Sequence, residues 1–148
     1  MDKVHGLTIN TTLTKTINST TNYDMFDLLK IKLFGHQPVA KISDQLLDTL
    51  IDRDFKSNAA IVKTKLNSID SDSQAGKNRI AAGILKLANK NFDALDELIE
   101  KANNDSRDIL MCSEYPRCAK LGFDDLDDKQ MKQIYIDDFT QYSNWLNK

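Results

Sequence analysis

The stretch most crowded with reactive side-chain types runs from position 105 to 118, DSRDILMCSEYPRC. It holds two thiols, Cys112 and Cys118, and charged groups of both signs around a proline. A zinc site here would have to borrow His5 or His36 from the other half of the chain, because structural zinc takes its ligands in short-spaced pairs. On an unbroken helix the six residues between the thiols turn about 600°, leaving them on opposite sides, so only a break at Pro116 could bring them together. A nucleophilic cysteine needs a base beside it, and no histidine lies in the motif. The expectation is two independent, mostly buried thiols. The charged residues allow two outcomes. Paired internally, Arg107 or Arg117 holds Asp108 or Glu114, while Tyr115 covers the core's edge with its ring in and its hydroxyl out. Left open, Arg107, Asp108, Glu114, Tyr115 and Arg117 form a recognition corner, since Arg and Tyr often anchor interfaces.

Four other groupings suggest chemistry. Asp124, Asp125, Asp127 and Asp128 are the densest carboxylates, able in principle to hold Mg²⁺ or Mn²⁺ for a hydrolase or nuclease, or else to cap and charge the start of a helix. Asp70–Gln74 resembles the opening of a calcium loop, but Ala75 stands where glycine must turn and Ala81 where a glutamate must close the cage. Gly76–Lys77 lacks the glycine and hydroxyl partners of a phosphate loop. Lys56, Lys63, Lys65, Lys77, Arg79, Lys86 and Lys90 would suit a nucleic-acid regulator if they formed one stripe. No pattern calls for a cofactor, and none is expected.

The elements that must position these groups read as helices. The first 22 residues are rich in Thr and Asn with sparse apolar positions, so a polar arm is expected over 1–22, irregular or a short strand, and a helical domain over 23–148. The first helix, 23–34, should bury Met25, Phe26, Leu29, Leu33 and Phe34 and stop at Gly35 ahead of Pro38. Ser43 or Asp44 caps a second helix with Leu46, Leu47, Leu50 and Ile51 inward. A third opens at Ser57 or Asn58 and buries Ile61, Val62, Leu66 and Ile69. The SDSQ segment at 71–74 caps a fourth, reaching about Asn89. A fifth carries Phe92, Leu95, Leu98, Ile99 and Ala102, and a sixth is capped by Asp105 and interrupted before Pro116. The last runs from about Asp127 to Leu146, with Met131, Ile134, Tyr135, Phe139, Tyr142, Trp145 and Leu146 on one face. Together these predict an all-α fold: a compact single-domain array of about six or seven helices with a polar N-terminal arm.

Size and charge narrow the function. At 148 residues, one core suffices. Nineteen of the 22 acidic residues are aspartate, and the net charge of −2 comes from an acidic tail: residues 1–70 net +1, 71–121 net 0, and 122–148 net −3. A near-neutral chain with an acidic end lacks the footprint that nucleic-acid binding needs. No apolar run approaches the ~20 residues of a membrane span, and Met1–Ile17 lacks a signal-peptide core, so a cytoplasmic setting is expected.

The segment RIAAGILKLANKNFDALDELIEKANNDSRDILMCSEYPR, residues 79–117, resembles small uncharacterised bacterial helical proteins that share an ILKLA…RDIL..EYPR region. The resemblance rests on Ile84, Leu85, Leu87, Ala88, Leu95, Leu98, Arg107, Asp108, Leu110, Glu114, Tyr115, Pro116 and Arg117. It implies a helical fold and a bacterial source, and attaches no activity. Ser113 departs from it, standing where alanine is expected before EYPR. The expected function is a small non-catalytic protein–protein interaction module, immunity- or antitoxin-like. Its partner-binding candidates are the corner residues together with Tyr142 and Trp145, and an exposed part of the last helix would favour a homodimer. A metal-dependent hydrolase using Asp124–Asp128 and a nucleic-acid-associated regulator are the alternatives.

Overall fold

The computed structural model describes residues 26–121 and 126–148. The predicted arm at 1–22 lies outside these residues. Among them there is no strand, and the chain forms eight α-helices: α1 (Asp27–Phe34), α2 (Asp44–Phe55), α3 (Ala59–Leu66), α4 (Gln74–Ala88), α5 (Leu95–Asn104), α6 (Ser106–Glu114), α7 (Pro116–Leu121) and α8 (Asp128–Leu146). Because α6 and α7 are one run broken at Tyr115–Pro116, the array has seven rods, matching the predicted all-α, compact arrangement.

The helix starts follow local chemistry. Ser43 accepts the Leu46 N–H at 3.1 Å, Ser73 accepts the Gly76 N–H at 3.1 Å, and Asp105 accepts the Arg107 N–H, each satisfying an amide that the first helical turn leaves unpaired. Asp127 and Gln130 form a reciprocal capping box at the start of α8. At Gly76 a Cβ would sit 2.7 Å from Ser71 Oγ and 3.1 Å from the capping Ser73 Oγ, so the crowded start of α4 favours glycine. No phosphate cradle is needed to explain it.

At the centre lies α4, which packs on α2, α5 and α6, and its Ile80, Ala81, Ala82, Ile84, Leu85 and Ala88 are buried. The closest approach is to α6, where Gly83 faces Ser113 and Ile109. Leu50, Ile51, Val62, Leu66, Leu95, Ile99, Tyr142 and Leu146 complete one continuous core. Between α1 and α2, residues 35–43 form a non-helical strap pinned from below at two carbonyls. The Tyr115 hydroxyl donates to Pro38 O at 2.8 Å, and Asn78 Nδ2 donates to Ile42 O at 3.1 Å and to Asp44 Oδ1 at 2.7 Å.

Two helices turn differently from expectation. α1 buries Asp27 and Ile31, and its predicted inward residues Phe26, Leu29, Leu33 and Phe34 are exposed. In an eight-residue helix reading DLLKIKLF, apolar side chains lie on nearly every side, so periodicity gives it no direction. Its docking against α8 selects the Asp27–Ile31 face instead. Ile61, at the start of α3, is likewise exposed rather than buried.

Candidate functional site

The predicted corner is built by a helix that breaks and restarts. Tyr115 adopts φ −130°, ψ 55°, which ends α6, and Pro116 opens α7 at the position where its missing N–H costs nothing. The restart leaves the amides of Arg117 and Cys118 without intrahelical acceptors. Both donate to the carboxylate of Asp138, on α8, at 3.2–3.3 Å. Asp138 is fully buried, and Arg117 offsets its charge with Nη1 at 2.8 Å while also reaching Gln141 Oε1 at 2.9 Å.

On the α6 side, Glu114 is 1% exposed and held by a two-pronged pair: Arg79 Nε donates to Oε1 at 2.7 Å and Nη2 to Oε2 at 2.6 Å. That pairing raises the Arg79 pKa above its ordinary value. Tyr115 is buried with its ring edge-on to Tyr135 at 6.2 Å. Burial pushes its hydroxyl well above the usual phenol range. The expected outward hydroxyl is therefore corrected, since it points to Pro38 O because a buried phenol needs an acceptor.

Arg107 and Asp108 do not join this corner. Arg107 pairs with neither Asp108 nor Glu114 but folds back on its own cap, with Nε and Nη2 on Asp105 at 2.9 and 2.7 Å. That contact holds the Asp105 carboxyl down to about 2. Asp108 stays exposed. Tyr142 is fully buried, stacked on half-buried Trp145 at 5.7 Å. Lys86 lies 5.0 Å over the Tyr142 ring and donates to the Ser113 carbonyl, and the Arg53 guanidinium lies 5.0 Å over Trp145. Desolvation lowers the Lys86 pKa. The Tyr142 hydroxyl is buried without a hydrogen-bond partner among the described residues.

Sequence reading placed Arg79 and Lys86 in a basic stripe rather than beside Glu114 and Tyr142, and it missed Asp138 and Arg53, whose Nε and Nη2 both sit 2.8 Å from Asp54. Asp138 alone left a trace, as an acid inside the apolar stripe of α8.

Cys118 is buried with its thiol pushed up to about 12, mainly by burial, while Cys112 is exposed, contrary to the expected buried pair. Of the aspartate cluster, Asp124 and Asp125 lie outside the described residues, Asp127 is the α8 cap and Asp128 sits in its first turn. Among the described residues, no group of three or more His, Cys, Asp or Glu could hold a metal ion.

The basic positions do not form an open stripe. Lys63 pairs with Asp48, Lys65 with Asp96 and Arg79 with Glu114, and Lys77 donates to the Asn67 carbonyl. No helix among the described residues is long and apolar enough to cross a membrane.

Several large apolar side chains are exposed. Leu29 (48% exposed) and Leu33 (57%) lie on the side of α1 opposite its buried Ile31, and Phe26, Leu28, Phe34 (66%) and Val39 are exposed as well.

No protein-family model matches the chain, and no curated protein or solved structure shows significant similarity to it.

Proposed function

We propose that this chain is a small non-catalytic module that binds another polypeptide, with the outward face of α1 as its contact surface. The observation that carries this reading is the Leu29–Leu33 stripe, spaced at i and i+4 on the side of α1 opposite its buried Ile31. A stripe of that spacing is complementary to one helix laid along it. The paired fates of Arg79, Glu114, Arg117 and Asp138 support a structural role for the corner, which moves the contact surface from the EYPR region to α1. In this reading the protein acts in the cytoplasm, where both thiols stay reduced, and an immunity- or antitoxin-like pairing is one form it takes.

The test is a photo-crosslinking amino acid placed at Leu29, Leu33 or Ile61, combined with light scattering of the purified chain. The helix reading expects a discrete covalent adduct from positions 29 and 33, lost when the other leucine of the stripe is changed to Glu. It expects none from Ile61, an equally exposed but isolated apolar side chain. An adduct of twice the chain mass, with a dimer by scattering, identifies the bound helix as a second copy. Equal yields from all three positions would defeat the reading.

A further inference from the structure

The strap also borders a groove that no α1 residue lines. It lies between the strap, one side of α2, the start of α4 and the end of α8, with a volume of about 960 Å³. Its floor is apolar: Ile42, Leu50 and Leu146 are buried at the base, Leu46 is half-buried, and exposed Val39 forms one lip. The side that α2 contributes runs from Gln45 to Arg53, roughly 12 Å at the rise of a helix, the length of two helical turns.

Charge tells what fits. The chain has 22 acidic side chains and a net charge of −2, yet no acidic side chain lines this groove, whereas Lys41, Arg53, Arg79 and Lys148 do. The carboxylates that balance the two arginines, Asp54 and Glu114, are buried and neither lines the groove, and Arg53 Nη1 also donates to the Trp145 carbonyl at 2.8 Å. Glu114 takes Nε and Nη2 of Arg79, so Nη1 remains as a donor held in a fixed orientation. Lys41 makes no side-chain hydrogen bond or ion pair among the described residues. Apolar side chains flanked by cations in an open trough match a peptide helix that carries leucine-like residues on one face and carboxylates beside them.

We infer that this groove binds an acidic amphipathic helical segment of another protein, two to three turns long. The inference rests on the reading of the chain as a binding module, but on a different surface, so the two can fail separately.

The probe is a synthetic peptide of about fourteen residues with Leu at helical i, i+3, i+4 spacing and Glu on its flanks. It is titrated calorimetrically beside versions with Gln or Lys in place of every Glu. Three protein variants accompany the wild type: Thr49→Trp, which fills the groove from an exposed position on α2, Lys41→Glu at the rim, and Leu29→Glu/Leu33→Glu on α1. The Glu peptide should bind, and Thr49→Trp and Lys41→Glu should each weaken it by about tenfold or more, with the α1 variant unaffected. The Gln and Lys peptides should bind at least as weakly as the Glu peptide does to Lys41→Glu. Circular dichroism melting should be the same for Thr49→Trp, Lys41→Glu and wild type. Equal binding of the Gln peptide would remove the charge complementarity, and an unchanged affinity in Thr49→Trp would remove the groove. Loss of binding in the α1 variant alone would transfer the peptide to the α1 face. Absence of heat with the Glu peptide would overturn the inference while leaving the crosslinking test of α1 untouched. So would wild-type attachment to anionic vesicles that Thr49→Trp abolishes in the absence of peptide binding.

Discussion

Two buried tyrosines illustrate how a hydroxyl's value depends on its acceptor. Tyr115 donates to Pro38 O, whereas the Tyr142 hydroxyl is buried with no partner among the described residues. Replacing Tyr115 by Phe should lower stability by about 1–2 kcal/mol, because it strands a buried carbonyl as well as losing a bond. Tyr142→Phe should be neutral or stabilising by up to about 1 kcal/mol, since the desolvation cost of its hydroxyl is never repaid. Urea unfolding of the two variants checks both signs. The Arg79–Glu114 pair follows a related logic. Glu114→Gln leaves a positive charge without its counterion, at a cost of about 2–3 kcal/mol, below the ~3–5 kcal/mol for a fully buried pair because Arg79 keeps some solvent contact. The double change Arg79→Met/Glu114→Leu should recover most of that loss, which a double-mutant cycle by the same unfolding method measures. The paired reading of the corner could be seen in the order Arg-Asp…Glu-Tyr-Pro-Arg, but its partners could not. Arg79 is 35 residues before Glu114, and Asp138 is 21 after Arg117.

At the scale of elements, the fold depends on how closely α4 approaches α6. A Cβ added at Gly83 would meet Ser113 Oγ at 2.8 Å and Ile109 Cγ2 at 3.2 Å. In an isolated helix Gly→Ala gains about 1 kcal/mol of propensity. Here Gly83→Ala should lose about 1–3 kcal/mol to overpacking. The same change in a Ser113→Ala background should lose less, since the nearest atom is gone, and thermal unfolding of the single and double variants decides it. Helix starts were the most legible features, because Ser43, Ser73, Asp105 and Asp127 act on amides within their own turn. Long amphipathic helices were legible in part: α5 buries Leu95, Ile99 and Ala102, whereas of the predicted face of α8 Tyr142 and Leu146 are buried and Met131, Ile134, Tyr135, Phe139 and Trp145 are half-buried. α1 was not, because a short helix that is apolar on nearly every side contains no statement of which face turns inward, and α8 made that choice. Ser113, which departs from the resembled pattern, proves to be the residue that Gly83 makes room for.

For the whole molecule, the strap divides the chain into a core and an appended helix. The core from Val39 onward is closed by α4, α6 and α8, and α7 is bolted to α8 through Asp138, so Cys118 should be shielded until the array opens as a unit. With its thiol pushed up to about 12, Cys118 has almost no thiolate near neutral pH. Iodoacetamide at pH 8 should modify one thiol, Cys112, in the native protein and both in urea, as intact mass reports. Rapid native modification of Cys118 would mean that α7 detaches on its own. The sequence conveyed the fold class and most of the core, while the surfaces proposed for binding emerged only once internal pairing had consumed charged candidates such as Glu114 and Arg117. The single tryptophan, Trp145, lies between Arg53 and Tyr142 and next to Leu146 in the groove floor. The protein therefore carries an intrinsic optical probe whose emission colour and intensity should register, without any label, both occupation of the proposed groove beside α8 and the departure of α2 from it.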